Sequence, residues 1–489
     1  MAIRYDLPSY TKLDDLVMAG KAQLIATPTV DTATDPLVVR PPAGQVAIIT
    51  KIVGTSLANA DTSPGLSDDD VDGNALNLYD EDGALTSEGI IFKRFRRPNL
   101  LFENAATPSW RSAVPCVPIV WEPELPLIVP PKHSLRADMN STLAGGCLAC
   151  YGYMVDVDTA RNLGFSVQTQ SDTVSSPGVA MKPNKQGYRG TMLSAANTNI
   201  ELVNGFAGFC IQIIDIYVRV QPIDHVPTDK IKLFWGDSIL DSTGANDIMS
   251  WSNNNPSDLL DVKFSPKIYL PSGKGLFAAG VDDALGATNT SASVSVTYRY
   301  VPADEVPQDH WWSYRRLPTP GTATLGTTSL YTTATGTFTA FFPNRISGST
   351  VGTTTATTPG LGKQFVVEGY AISASKDATV ASDRVWMAIT TGTTGGSVGV
   401  ATSGITTTNR LISPILALGS HDQTLFLAVD GLNIPCPKDT GSVFIDTTAS
   451  GATATPAAAD LDVDESHFLV WGRSIPAKFG TAHFQGSSS

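Results

Sequence analysis

The chain has 489 residues and a formal net charge of -13, with 16% charged and 42% hydrophobic residues, 42 Gly and 32 Pro. That length suits roughly three domains of about 100–200 residues each. The hydrophobic share excludes a disordered chain, the Gly and Pro density excludes long helices, and the acid excess disfavours nucleic-acid binding through a basic face.

Residues 1–42 carry Pro8, Pro28, Pro36, Pro41 and Pro42 and predict an N-terminal arm, partly extended, part of which could be a strand of the first domain. Within it Lys12 to Ile25 offers an amphipathic helix, with Leu13, Leu16, Val17 and Leu24 partly on one side. The N-terminus lacks the apolar core of a signal peptide, and no apolar run reaches the roughly 20 residues that span a bilayer. The expectation is synthesis in a cytosol, with the 5 Cys reduced and no membrane contact.

A threefold repeat follows. Each unit opens on a glycine and a β-branched strand: Gly44 to Ile52, Gly208 to Val218, Gly362 to Ile372. A second strand comes next, at Ala75 to Tyr79, Ile231 to Trp235 and Val385 to Ile389. After loops, an apolar strand ends in proline and lysine: Leu127 to Lys132, Ile268 to Lys274, Leu432 to Lys438. Proline lacks an N–H and stops a ladder, which aims the chain into a turn. A short strand follows (Leu135 to Met139, Leu276 to Gly280, Val443 to Asp446), then an aromatic-bearing one (Cys147 to Val155, Val294 to Val301, His467 to Trp471). In Val294 to Tyr300 the apolar side chains alternate with Ser, Thr and Arg, as in a half-buried strand. The fold expected is all-β, with three tandem antiparallel β-sandwich, jelly-roll-like domains at 43–158, 186–307 and 319–489. Residues 159–185 form a polar linker or loop, and 308–318 an aromatic connector.

That connector holds Trp311, Trp312 and Tyr314, which need burial against a neighbouring domain or another subunit and form the candidate interface. Lys93 to Arg97 is a local basic run, best read as a solvated loop or a salt-bridge patch. The run Asp68-Asp69-Asp70-Val71-Asp72-Gly73 fits the front half of a calcium loop through Asp68, Asp70 and Asp72. Its twelfth position is Tyr79 instead of Glu, so a solvated acidic turn is favoured over calcium. Asp460, Asp462, Asp464 and Glu465 make a second acidic cluster without the glycine. No other cofactor is expected.

Enzyme signatures fail. Gly395-Gly396-Ser397-Val398-Gly399 has the nucleophile-elbow letters but lies in a Thr/Gly loop, where the elbow requires a following helix. Cys147 and Cys150 have metal-site spacing, yet residues three apart on a strand point to opposite faces. Cys116, Cys210 and Cys436 supply no second pair, and the 6 His are spread out. The sequons at Asn140 and Asn289 mean little without a secretory route. A non-enzymatic protein is expected.

The repeated sandwich strands, the prolines and the Thr/Gly loops resemble tailed-bacteriophage auxiliary virion proteins, the jelly-roll decoration, cement or turret proteins of the head. The resemblance covers most of the chain. It implies a capsid-surface location on the virion, the major capsid protein or other virion proteins as partners, and a homo-oligomer, with a trimer about the aromatic connector as one form. The alternatives are a tail- or spike-associated adhesin whose loops bind glycans on Trp110, Trp121, Trp251 or Trp386, and a jelly-roll capsid protein.

Overall fold

Three glycines set the frame. Gly44, Gly208 and Gly362 have φ of 83°, 85° and 73°, a region that costs other residues their Cβ clearance. Each closes a tight turn, in which Gln45, Phe209 and Lys363 donate backward to Pro42, Phe206 and Gly360. Each also accepts a bond from the first residue past the unit's last strand. Those donors are Val157, Ala303 and Ala477, at 3.0, 2.9 and 2.8 Å. Glycine, turn and return bond therefore recur three times.

A computed structural model describes residues 11–26, 37–58, 75–79, 85–93, 119–122, 126–138, 144–163, 165, 186–193, 199–221, 230–241, 246–252, 260–281, 291–316, 331–344, 346–347, 350–351, 354–376, 384–393, 398–401, 404–407, 409–418, 423–450 and 466–477. The first unit comprises β1 (Ala22–Ala26), β2 (Leu37–Val39), β3 (Gln45–Ala58), β4 (Ala75–Tyr79), β5 (Leu85–Lys93), β6 (Ile119–Trp121), β7 (Ser134–Asp138) and β8 (Ala144–Asp156). The second comprises β9 (Gln186–Leu193), β10 (Asn199–Val203), β11 (Phe209–Gln221), β12 (Lys230–Gly236), β13 (Asp247–Ser252), β14 (Leu260–Phe264), β15 (Gly275–Val281) and β16 (Ser291–Pro302). The third comprises β17 (His310–Arg316), β18 (Tyr331–Thr337), β19 (Lys363–Lys376), β20 (Arg384–Gly392), β21, broken into Arg410–Leu411 and Leu416–Leu418, β22 (Gln423–Val429), β23 (Ser442–Ser450) and β24 (His467–Pro476).

The pairing order is the same in all three. One sheet, holding the two longest strands, runs β1-β8-β3-β6, β9-β16-β11-β14 and β17-β24-β19-β22, the third extended beyond β17 by Ala340–Phe342 and Thr354–Ala356. Its companion runs β2-β7-β4-β5, β10-β15-β12-β13 and β18-β23-β20-β21. The paired strands are antiparallel, and the chain alternates between the sheets as an eight-stranded jelly roll does. The protein is thus an all-β chain of three tandem antiparallel jelly rolls.

The likeness extends to irregularities. The long central strand of each unit is bulged against its partner at the same distance from its glycine, at Thr50, Ile214 and Glu368. A bulge raises local twist, which the two-layer closure needs. Opposite the bulge, Gly152 and Gly472 let backbones approach so closely that a Cβ would sit 2.0 Å from the Ile48 and Val366 carbonyls.

One expectation needs correction. The aromatic stretch read as a connector is β17, a strand inside the third long-strand sheet, bonded to β24 along its whole length. The pairing also decides which prolines of the repeated motif are equivalent. Val129, Leu270 and Cys436 each face the third residue after the unit's glycine, so the equivalent prolines are Pro130, Pro271 and Pro437, and Pro435 is not one of them. Two residues beyond each lies a positive φ, at Lys132 (64°), Gly273 (82°) and Asp439 (65°).

Where it is described, the N-terminal arm forms one helix and two strands. A helix α1 (Thr11–Met18) is followed by β1 and β2, which are edge strands of the first jelly roll. Leu13 of α1 packs with Val46, Ile48 and Val155 on the outer face of the long-strand sheet, joined by Ala160 of α2 (Val157–Asn162). No described helix is long and apolar enough to cross a membrane.

Candidate assembly interface

Consecutive jelly rolls meet by one rule. The fifth strand of one unit lies against the long-strand sheet of the next: β5 chiefly alongside its edge strand β9 and less against β16, then β13 across β17, β19 and β24. The sixth strands extend both contacts. Lys263 on β14 donates its ammonium to the Glu122 carbonyl just past β6, and Phe264 on β14 meets Phe426 on β22 at 5.5 Å between ring centres.

At the second junction the core is continuous. Trp312, Ala371, Leu469 and Trp471 of the third unit join the apolar cluster built by Ile231, Leu233, Met249 and Trp251 of the second. The third unit's sheet therefore closes the open side of the second sandwich. Trp312 stacks edge-on to Phe341 at 5.2 Å, and Phe341 lies 5.5 Å from Trp235. Trp311, on the opposite face of the strand, belongs to the third unit's own core against Phe365.

A buried polar network sits beside these rings. Asp247 on β13, with a fully covered side chain, lies 2.6 Å from the Lys232 ammonium and 3.5 Å from the Arg316 guanidinium of the third unit. The Tyr314 hydroxyl shares a 2.8 Å hydrogen bond with His467 Nδ1. Burial, with the Asp247 charge adding to it, pushes the Tyr314 phenol up, so it stays neutral.

The first junction is more polar. Tyr217 of the second unit enters the first unit's core beside Trp121. Asp215 accepts from Ser265, and burial lowers the Lys263 pKa against the opposing charges of Asp215 and Glu122. Glu122, exposed, is held below the usual carboxylate range by its hydrogen bond and charge contact with Lys51, 2.6 Å away. The cavity between Trp121, Tyr217 and Lys263 measures about 10 Å³, room for about one water.

Of the residues singled out by sequence, Trp312 and Tyr314 stand at the second junction and Trp311 behind it. Trp311 and Trp312 are buried within the chain, and Tyr314 is half-buried. Asp68, Asp70 and Asp72 lie outside the described residues, as do the second acidic cluster, Arg94 to Arg97, Asn140, Asn289 and Trp110. Among the described residues no group of three His, Cys, Asp or Glu is placed to hold a metal. Cys150, Cys210 and Cys436 are buried free thiols whose pKa is pushed up to about 12 by burial. The strand Val398–Ala401 follows Ser397 where an elbow needs a helix. Trp121 and Trp251 are buried and offer no sugar platform.

Sequence reasoning missed Asp247 and Lys232. Lys232 between Ile231 and Leu233 reads as the wet half of an alternating strand, and nothing local signals its burial beside Asp247.

No protein-family model matches the chain, and comparison with curated proteins finds no match. Among solved structures it is similar to a chain of Sulfolobus Turreted Icosahedral Virus, at 13% identity over 59% of this chain and 94% of that one, with a TM-score of 0.26. A chain of Broad Bean Stain Virus matches at 10% identity over 62% and 94%, with a TM-score of 0.23. A fucolectin from striped bass (Morone saxatilis) serum matches at 9% over 58% and 85%, with a TM-score of 0.15. At these TM-scores the likenesses carry no argument about function.

Proposed function

We propose that this protein is a non-enzymatic structural subunit of a virion, with its three jelly rolls laid side by side as part of the particle shell. The observation that carries the reading is the repeated junction: the same edge of one unit meets the same sheet face of the next, twice in one chain. Tiling needs a unit that offers both halves of one contact, and each jelly roll does. The fold alone recurs in capsid, lectin and cupin domains. A glycan-binding role would use exposed aromatic platforms; Trp121 and Trp251 are buried, and Trp386 is half-buried.

The test is protein mass spectrometry of purified source particles with electron microscopy of the same sample. A shell subunit is the dominant protein of the continuous layer. A minor layer seated over a shell of other subunits would make it the decoration or cement protein that the sequence suggested, with the major capsid protein as partner. Absence from particles overturns both.

A further inference from the structure

Among the described residues, both halves of the internal junction present exposed apolar side chains at the two ends of the chain. The long-strand sheet face that receives a preceding unit is closed in the second and third jelly rolls. In the first, α1 and α2 cover part of it. The rest presents Leu24, Tyr151 and Val120, which are 67%, 40% and 49% exposed. These positions correspond to covered ones. Tyr151 pairs with the residue after the bulge in β3, as Thr297 does in β11 and Trp471 in β19, and those two are each 3% exposed. Val120 pairs with Val53 as Ala428 pairs with Ala371, inside the second junction's apolar cluster.

The other half lies open on the third unit. Leu411, on the fifth strand that makes the junction in units one and two, is 41% exposed. On β22, Leu427 and Val429 point to the core but stay partly exposed, whereas Val262 and Phe264, at the same pairing positions on β14, are buried.

We propose that these two surfaces bind each other between copies of the chain, so that the third jelly roll of one copy seats on the first jelly roll of the next, head to tail. The occupant is a second copy, because the chain already joins the same fifth-strand edge to the same sheet face twice. A heterologous contact of this kind continues into a ring or an open row. The inference rests on the shell reading and names the partner of its interface.

Two variants test it in sedimentation velocity over a concentration series, with circular dichroism to verify the fold. Tyr151→Asp blocks the head and Leu411→Asp blocks the tail. Both side chains are exposed, and Tyr151→Phe and Leu411→Ile should associate as the unaltered chain does. The unaltered chain should grow beyond the dimer, and each blocked variant alone should sediment as one 51.6 kDa chain. Their equimolar mixture should give a dimer of twice that mass, since one live head meets one live tail. An unaltered chain that stays monomeric, blocked variants that associate undiminished, or a mixture of folded monomers would each overturn the proposal. Finding the chain in the particle shell despite such a result leaves the shell reading standing. Its absence from particles removes that reading whatever the sedimentation shows.

Discussion

Trp312 donates its indole N–H to the backbone carbonyl of Tyr269 at 2.8 Å, and the bond crosses from the third jelly roll to the second. The ring itself sits in the shared apolar cluster against Phe341. Trp312→Ala should cost about 3–5 kcal/mol, the usual loss for a buried aromatic. Trp312→Phe keeps much of the packing and leaves the carbonyl without this donor, for about 1–3 kcal/mol. Urea unfolding followed by fluorescence reads both, and equal losses would show that the bond adds nothing to the ring.

Asp247 bridges the same junction with a charge. Its partner Lys232 is buried in the same unit, while Arg316 of the third unit is half-exposed. Removing one member of a buried pair strands the other, so Asp247→Asn should destabilise by about 3–5 kcal/mol. Arg316→Gln should cost no more than about 1 kcal/mol, since its charge remains wet. The double variant Lys232→Met with Asp247→Leu should recover most of the Asn loss, and a double-mutant cycle in denaturant gives the coupling.

The repeat was legible because its markers are steric. Gly44, Gly208 and Gly362 mark positive φ, and the alternation in Val294 to Tyr300 marks a strand with one wet face. Trp311 and Trp312 misled because alternation vanishes when both faces are buried. Trp311 enters its own core and Trp312 the neighbour's, so the strand reads as an aromatic loop. In Ile434-Pro435-Cys436-Pro437 two prolines compete for one role, and the left-handed Asp439 that decides between them carries no composition signal. The Asp247 network was invisible for a different reason: Lys232 and Arg316 are far apart in sequence, and only the packing of two units brings them to one carboxylate.

The glycine frame separates two kinds of cost. At Gly208 and Gly362 an added Cβ would meet nothing within 4 Å, so only backbone strain opposes alanine. Gly208→Ala and Gly362→Ala should each lose about 1–2 kcal/mol. At Gly472 the Cβ would lie 2.0 Å from the Val366 carbonyl, and the two central strands must part to admit it. Gly472→Ala should therefore cost at least about twice as much as either turn variant. Denaturant midpoints at constant slope would check the order, and a turn variant worse than Gly472→Ala would contradict the close-approach account.

His310 gives the fold a pH dependence of known sign. It is buried at the start of β17, edge-on to Tyr269 at 5.0 Å, and burial drops its pKa from 6.5 to about 4. The unfolded chain therefore binds a proton at pH values where the folded chain does not. Stability is fully present above about pH 6.5 and falls as the pH drops toward 4, by about 3 kcal/mol at most for this one group. Below about pH 4 both states carry the proton and the slope from His310 ends. His310→Phe keeps a ring against Tyr269 and removes the titration. The difference between the stability curves of the two chains should be flat at neutral pH and should open between pH 6.5 and 4 in favour of the Phe variant. Curves that stay parallel through that window would mean that the imidazole is solvated in the folded chain and that the junction around β17 opens to water.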